Sequence, residues 1–161
     1  MTDREFFIKR WFAEVPSTEG IFTALPEDNL DYRPHQKTRS AKEIVGHLIG
    51  HPDDMNELIE TGNINHRNQT SYKKIDEAVS IYKKGNSKLE QLVKSLNDDT
   101  WNNKTGKFYI SGNFIYEAPV NVLMWGFLFD TIHHRGQLTT YIRPMGGKNP
   151  SVYGPTADNP M

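Results

Sequence analysis

The sequence predicts an all-α protein, an antiparallel four-helix bundle that forms a single domain over residues 1–161. Apolar residues recur at helical spacing in four long segments, and no long segment alternates polar and apolar residues as a half-buried strand would. A chain of 161 residues is also long enough to bury one hydrophobic core. Helices of this kind pack their apolar faces together, and ligand sites form between facing helices.

The first predicted helix has a continuous apolar face with spacings of three and four residues. Its members are Phe7, Trp11, Val15, Thr18, Phe22 and Leu25. Pro16 lies inside this helix and is expected to kink it. The segment LPEDNLDYRPHQKTR follows as a connector, because Pro26 and Pro34 disfavour a continued helix.

The second helix is predicted to begin at Ser40, where Glu43 three residues later completes a capping box. It is expected to end near Gly62 and Asn63, which are residue types common at helix C-termini. Its inner face comprises Ile44, His47, Leu48, His51 and Met55.

The third and fourth helices are predicted from similar apolar stripes. The third carries Ile75, Val79, Tyr82, Leu89, Val93 and Leu96, and only Gly-Asn-Ser at 85–87 interrupts it. Residues 100–117 are expected to form a small hairpin or an irregular loop, with Ser111 and Gly112 as the turn. The fourth helix begins around Pro119 and ends before Pro144.

The fourth helix carries a carboxylate and an imidazole one turn apart on its apolar face. Steps of three and four residues from Asp130 reach Leu123, Phe127, His134, Leu138 and Tyr141. A buried ionised carboxylate is costly unless a cation pairs with it, and the predicted inner faces contain no Lys or Arg. A metal ion held by Asp130 and His134 would satisfy this requirement.

His47 on the second helix is predicted to supply a third ligand. Together, His47, Asp130 and His134 form a set of two imidazoles and one carboxylate, which leaves a coordination position open for water or substrate. The expected cofactor is a divalent metal ion, with Zn²⁺ or Ni²⁺ preferred and Fe²⁺ as a third candidate. The residue pattern alone leaves another interpretation open, in which Asp130 and His134 are a polar pair and His47 is a hydrogen-bonded core residue.

Other polar residues are assigned lesser roles. His51 is a candidate fourth ligand, although Pro52 distorts the helix beside it. Gln137 could hydrogen-bond a ligand, and Gly136 suggests close approach of a neighbouring helix or a second subunit. Glu43 is interpreted as a helix cap. His35 and His66 lie in connectors and are expected to have no special role. His133 is expected at the surface or beside a metal ligand, and Arg135 and Arg143 at the surface or in anion contacts near the end of the bundle.

Composition excludes several classes of protein. The absence of Cys rules out disulfides, thiolate zinc sites and a Cys nucleophile, and it is compatible with a reducing, cytoplasmic location. The 19 basic and 20 acidic residues are interleaved, so no basic face for nucleic acid is expected. No apolar run is long enough to span a membrane.

Three segments resemble the DinB/YfiT-like superfamily of metal-dependent four-helix-bundle proteins. They are LPEDNLDYRP after the first helix, SAKEIVGHL with His47, and HHRGQLTTYIRPMGG at the end of the fourth helix. The resemblance covers nearly the whole chain. The family's usual ligands are a His on the second helix and an H-x-x-x-H pair on the fourth. His47 and His134 match this pattern, and Asp130 stands where the family has the first His of the pair.

The resemblance implies a crossover between the second and third helices, a homodimer, and a low-molecular-weight thiol cosubstrate such as bacillithiol, mycothiol or glutathione. The leading hypothesis is therefore an enzyme, a thiol-dependent transferase or a hydrolase, in which the metal lowers the pKa of a bound thiol or water. A non-catalytic metal-binding or stress-associated protein is the alternative. An iron oxygenase follows from the ligand types alone.

Overall fold

A computed structural model describes residues 1–160, in which six α-helices accompany a three-stranded sheet. The prediction of an all-α four-helix bundle is therefore wrong. In chain order the elements are α1 (Asp3–Ala24), α2 (Ala41–Leu48), α3 (His51–Thr61), β1 (Asn63–His66), α4 (Ile75–Ser95), α5 (Asp98–Asn103), β2 (Thr105–Ile110), β3 (Asn113–Pro119) and α6 (Val120–Ile142).

The segment predicted as one second helix forms two helices, α2 and α3. The Ser40 side chain accepts a hydrogen bond from the Glu43 amide, and the Glu43 side chain accepts one from the Ser40 amide, so the predicted capping box is confirmed. The break follows from Pro52, which has no amide hydrogen and whose ring clashes with the carbonyl four residues earlier, at Leu48. Gly62 ends α3 with a left-handed φ of 78°.

The predicted third helix, α4, runs without a break through the Gly-Asn-Ser sequence at 85–87. A Cβ at Gly85 would lie 2.9 Å from Cβ of Pro52, so the missing side chain allows α4 to pack closely on α3. Asn86 accepts a hydrogen bond of 2.7 Å from the Trp11 indole, which joins α4 to α1. Gly85 and Asn86, which suggested an interruption, instead lie at the contacts of α4 with α3 and α1.

The sheet has the order β1-β2-β3, with β1 parallel to β2 and β2 antiparallel to β3. The hairpin considered for residues 100–117 is present, and its turn residues Ser111 and Gly112 have φ of 51° and 78°. Strand β1 was not predicted, because the four residues Asn-Ile-Asn-His give no alternating apolar pattern of useful length. Its one fully buried side chain, Ile64, lies beside Phe108 in the register.

The core consists of two hydrophobic clusters, and α6 contributes to both. Val120, Leu123, Met124, Phe127 and Leu128 belong to one cluster, and Leu138, Tyr141 and Ile142 belong to the other. The intervening residues 130–135 are mostly polar. The candidate site therefore lies where the apolar packing of α6 is interrupted. No helix within residues 1–160 has the length and hydropathy needed to cross a membrane.

Candidate metal centre

The structure brings the three predicted ligands together. One side-chain ligand atom from each of His47, Asp130 and His134 lies within 4.8 Å of the other two. His47 Nε2 is 2.9 Å from Asp130 Oδ2, and His134 Nε2 is 3.4 Å from Asp130 Oδ1. Helix α2 supplies the first residue and α6 the other two, so the site joins two helices as expected. Coordination of a metal by these atoms stays a prediction.

Asp130 is more exposed than the sequence pattern suggested, with 41% of its side chain accessible. Within residues 1–160 its ion-pair partners are histidines only, and no Lys or Arg neutralises it. Burial alone would raise the pKa of Asp130, but hydrogen bonds from His47 and His51 outweigh it and hold this pKa well below the usual range. Asp130 is therefore an ionised carboxylate that faces a cavity.

The tautomer of His134 can be assigned from its hydrogen bond to Gln137. His134 Nδ1 lies 2.8 Å from Gln137 Oε1, and because an amide oxygen only accepts, Nδ1 must carry the hydrogen. Partial burial lowers the pKa of His134, so the ring is neutral. Its Nε2 lone pair therefore faces the Asp130 carboxylate, which is the tautomer a metal ligand requires. The predicted role of Gln137 as a partner of a ligand agrees with this contact.

His51 belongs to the same cluster, although α3 rather than α2 carries it. Its Nε2 lies 3.2 Å from Asp130 Oδ2 and 3.3 Å from His47 Nε2. Its other ring nitrogen, Nδ1, is 2.8 Å from the hydroxyl of Thr131. Burial lowers the pKa of His51 to about 4, so the ring is neutral despite the opposing effect of Asp130. His51 orients the carboxylate, and its role as a fourth ligand stays a prediction.

A pocket of about 350 Å³ opens over the cluster. Its polar lining comes from Arg39 and from the cluster residues, and its apolar walls come from β2, β3 and α6. Those apolar residues are Phe108, Tyr116, Leu123 and Phe127. A second pocket of about 440 Å³ adjoins it and shares Arg39 and His134. An apolar cavity with a few converging polar groups is the usual form of a small-molecule site.

His66 was expected to have no special role, yet it lines the first pocket. Its Nδ1 lies 2.7 Å from Asp54 Oδ2, and Asp54 also accepts a hydrogen bond of 2.6 Å from Arg67. The His66 ring stacks on Phe108 at a centroid distance of 5.4 Å. No local sequence pattern identifies His66, because its position depends on the pairing of β1 with β2.

The surface position considered for Arg135 is wrong, because only 2% of the residue is accessible. Its guanidinium forms an ion pair of 2.7 Å with Glu14, which is equally buried, and donates to Tyr153. Gly136 was expected to mark a close approach, but no atom outside its own helix backbone comes within 4 Å of a Cβ at this position. Arg143 and His133 are exposed, as expected.

Comparison with known proteins identifies a family and a shared fold. Residues 1–160 match the sequence model of the DinB family. A DinB-like protein of Bacillus subtilis has a TM-score of 0.70 and 19% identity, over 91% of this chain and 96% of its own. A DinB-like protein of Bacillus cereus has a TM-score of 0.75 and 17% identity, over 92% of this chain and 97% of its own.

A mycothiol-dependent maleylpyruvate isomerase is a more distant structural neighbour, with a TM-score of 0.52 and 8% identity. The match covers 89% of this chain and 61% of the isomerase. At such low identity these likenesses show a common fold. No curated protein matches the chain by sequence.

Proposed function

The chain belongs to the DinB family, and from this premise we propose that it is a metal-dependent enzyme that uses a low-molecular-weight thiol. The proposed metal ligands are His47, Asp130 and His134. The reaction class is transfer of the thiol to an electrophile, with hydrolysis as the variant in which water takes the place of the thiol.

One contact carries the proposal. Asp130 Oδ1 and His134 Nε2 face each other at 3.4 Å, and each of these atoms is a hydrogen-bond acceptor. Two acceptors in this arrangement repel each other unless a proton or a cation lies between them. Partial burial lowers the pKa of His134, and Asp130 is ionised, so the gap between these two atoms favours a cation over a shared proton. A divalent ion fits this position and this donor set.

When bound, a divalent ion acts as a Lewis acid and lowers the pKa of a thiol or water that it holds. The protein's own residues position this chemistry. His51 holds Oδ2 of Asp130 and thereby orients its carboxylate, and Gln137 keeps the Nε2 lone pair of His134 available. The apolar walls formed by Phe108 and Phe127 reduce the access of bulk water to a bound ligand.

The thiol cosubstrate is the part of the proposal that depends on likeness to other proteins. The isomerase with the related fold uses mycothiol, as its name states. The pocket of about 350 Å³ over the cluster offers space for a small electrophile, and the adjoining pocket offers space for a second molecule. The two compartments share His134, so two substrates could lie beside the same proposed metal ligand.

The first experiment measures the metal content of untagged protein by mass spectrometry, before and after incubation with Zn²⁺ or Ni²⁺. Wild type should contain about one equivalent per chain. Asp130→Ala should contain little, because it removes the only anionic ligand. Glu60→Ala is the matched control, since Glu60 has 43% side-chain exposure, close to the 41% of Asp130, and pairs with Lys88. This control should retain the metal.

A second assay separates an enzyme from a non-catalytic metal-binding protein. Metal-loaded protein is incubated with a small thiol and an aryl chloride activated by nitro groups. The thiolate displaces chloride, and both the released chloride and the thioether are measured. Metal-dependent turnover that Asp130→Ala abolishes supports the enzyme. If the protein binds metal and melts at a higher temperature with it, but shows no turnover and no thiol affinity, the non-catalytic alternative is correct. If neither wild type nor Asp130→Ala binds metal, the proposal is wrong.

A further inference from the structure

Arg39 lies at the junction of the two pockets described above. It lines both of them, together with His134. The backbone at this position is held in place, because the Arg39 carbonyl accepts a hydrogen bond of 3.1 Å from the Tyr141 hydroxyl. The next residue, Ser40, is fixed by the capping box of α2. The arginine side chain is therefore carried on an ordered backbone at the mouth of the site.

The guanidinium group of Arg39 has no ion-pair partner within residues 1–160. Among residues 1–160, no carboxylate lies within ion-pairing distance of it, and its side chain donates no hydrogen bond. Other arginines near the site are engaged, since Arg33 pairs with Glu43 and Arg67 pairs with Asp54. Arg39 is exposed and retains its full capacity to donate hydrogen bonds.

The charges that line the two pockets favour an anionic ligand. Arg39 is the only Lys or Arg among the described lining residues, and Asp130 is the only carboxylate. If a divalent ion neutralises Asp130, as the proposed function requires, the lining retains an excess of positive charge. The walls beside Arg39 are apolar and aromatic, including Phe108 and Tyr116, which stack on each other at 5.3 Å.

We propose that Arg39 recognises a carboxylate on the ligand of this site, and that the ligand class is an apolar or aromatic carboxylate. The planar guanidinium presents paired N–H donors that match the two oxygens of a carboxylate. The aromatic walls contact the body of the ligand. This inference rests on the proposed function, because it identifies the ligand as a substrate. The carboxylate belongs either to the electrophile or to the thiol, both of which offer the same group to Arg39.

The test compares acids with their neutral amides by isothermal titration calorimetry, in metal-free and in zinc-loaded protein. Cinnamate and cinnamamide represent the electrophile, and N-acetylcysteine and its amide represent the thiol. Wild type should bind the acid about tenfold more tightly than the amide for at least one pair. Arg39→Gln should lose this preference, and its affinity for the amide should stay within about twofold of the wild-type value. Arg39→Lys should retain part of it, because the charge remains.

Two further variants act as controls. Lys37→Gln removes a positive charge from the same connector at a residue that lines neither pocket, so the preference should persist. Gly126→Leu should weaken binding of both cinnamate and cinnamamide, because Gly126 lines the first pocket and a Cβ there meets no other atom within 4 Å. Weaker binding to Gly126→Leu would show that these ligands occupy the first pocket. Unchanged affinity would show that they bind elsewhere and would contradict the proposed ligand site.

The outcomes separate this inference from the proposed function. If Arg39→Gln removes the preference for the acid only in the cinnamate pair, the carboxylate belongs to the electrophile. If the variant removes it only in the N-acetylcysteine pair, the carboxylate belongs to the thiol. Equal affinities of acid and amide in wild type, a preference unchanged in Arg39→Gln, or no binding of either acid would overturn the inference. Metal content is measured in the same samples. An Arg39-dependent preference in protein that never binds metal supports the anion site and contradicts the metal-dependent enzyme.

Discussion

Helix α6 presents two polar clusters from adjacent residues, and they differ in charge balance and in access. Arg135 points into the closed cluster, where Glu14 and Arg135 are 3% and 2% exposed and form an ion pair. His134 points into the open cluster, where Asp130 is 41% exposed and, among residues 1–160, forms ion pairs with histidines alone. The first cluster satisfies its charges within the chain, whereas the second leaves a carboxylate without a cation.

The difference shows how a structural polar cluster can be distinguished from a candidate site. Buried charges that serve stability are paired and hydrogen-bonded, as Glu14 is with Arg135, Arg10 and Tyr153. Asp130 lacks a cationic partner within residues 1–160, and the pocket above it has room for one. The location of unbalanced charge at a cavity is therefore more informative than the number of polar residues.

The largest expected effect is on stability, in the closed cluster. Glu14→Gln leaves the buried Arg135 without its counter-ion, so the free energy of unfolding should fall by about 3 kcal/mol. Asp130→Asn in metal-free protein should cost less than about 1 kcal/mol, because 41% of the Asp130 side chain is accessible to solvent. Urea denaturation followed by circular dichroism measures both values.

The control for this comparison is Glu19→Gln, on the same helix as Glu14. Glu19 pairs with Lys83, which is 60% exposed, so its loss should also cost less than about 1 kcal/mol. Similar losses for Glu14→Gln and Asp130→Asn would show that the two clusters contribute equally to the fold, and the distinction between them would be wrong.

The next largest expected effect is on zinc affinity, in the open cluster. Gln137→Ala removes the acceptor that holds His134 in its metal-binding tautomer, so zinc affinity should fall by about tenfold with little change in stability. Competition with a chromophoric chelator measures the affinity. His133→Ala is the matched control, because His133 contacts the same amide from the exposed side, at 3.1 Å. Equal losses in the two variants would mean that the amide does not act through His134.

The smallest effect is the contribution of Glu14 to the pH dependence of stability. Burial alone would raise the pKa of Glu14, but hydrogen bonds from Tyr153 and Arg135 and the charges of Arg135 and Arg10 lower it. A carboxyl group whose pKa is lower in the folded state stabilises the fold at neutral pH, and this contribution is lost as pH falls through the folded pKa. The urea midpoint of Glu14→Gln should therefore decline less on acidification than that of wild type. A steeper decline in the variant would contradict the assigned direction.

Local sequence patterns predicted much of the helical structure and part of the site. The Ser40–Glu43 capping box, the end of α3 at Gly62 and the start of α6 after Pro119 depend on residues within one turn of each other. The proximity of His47, Asp130 and His134 was predicted because helical periodicity places each of them on an inward face. The break between α2 and α3 was signalled by Pro52, but its extent was underestimated.

The sequence by itself determined most of the helical segments, which face of each is apolar, and which three side chains could bind a metal. Only the tertiary structure decided that β1 pairs with β2, that His66 lines the pocket, that Arg135 is buried against Glu14, and that Arg39 lines both pockets without an ion-pair partner in the described part of the chain. Helix periodicity and capping depend on neighbours three or four residues away, so a short segment of sequence is enough to predict them. Strand pairing and ion pairing join residues remote in sequence, and the packing of the whole chain selects them from many alternatives of similar local preference.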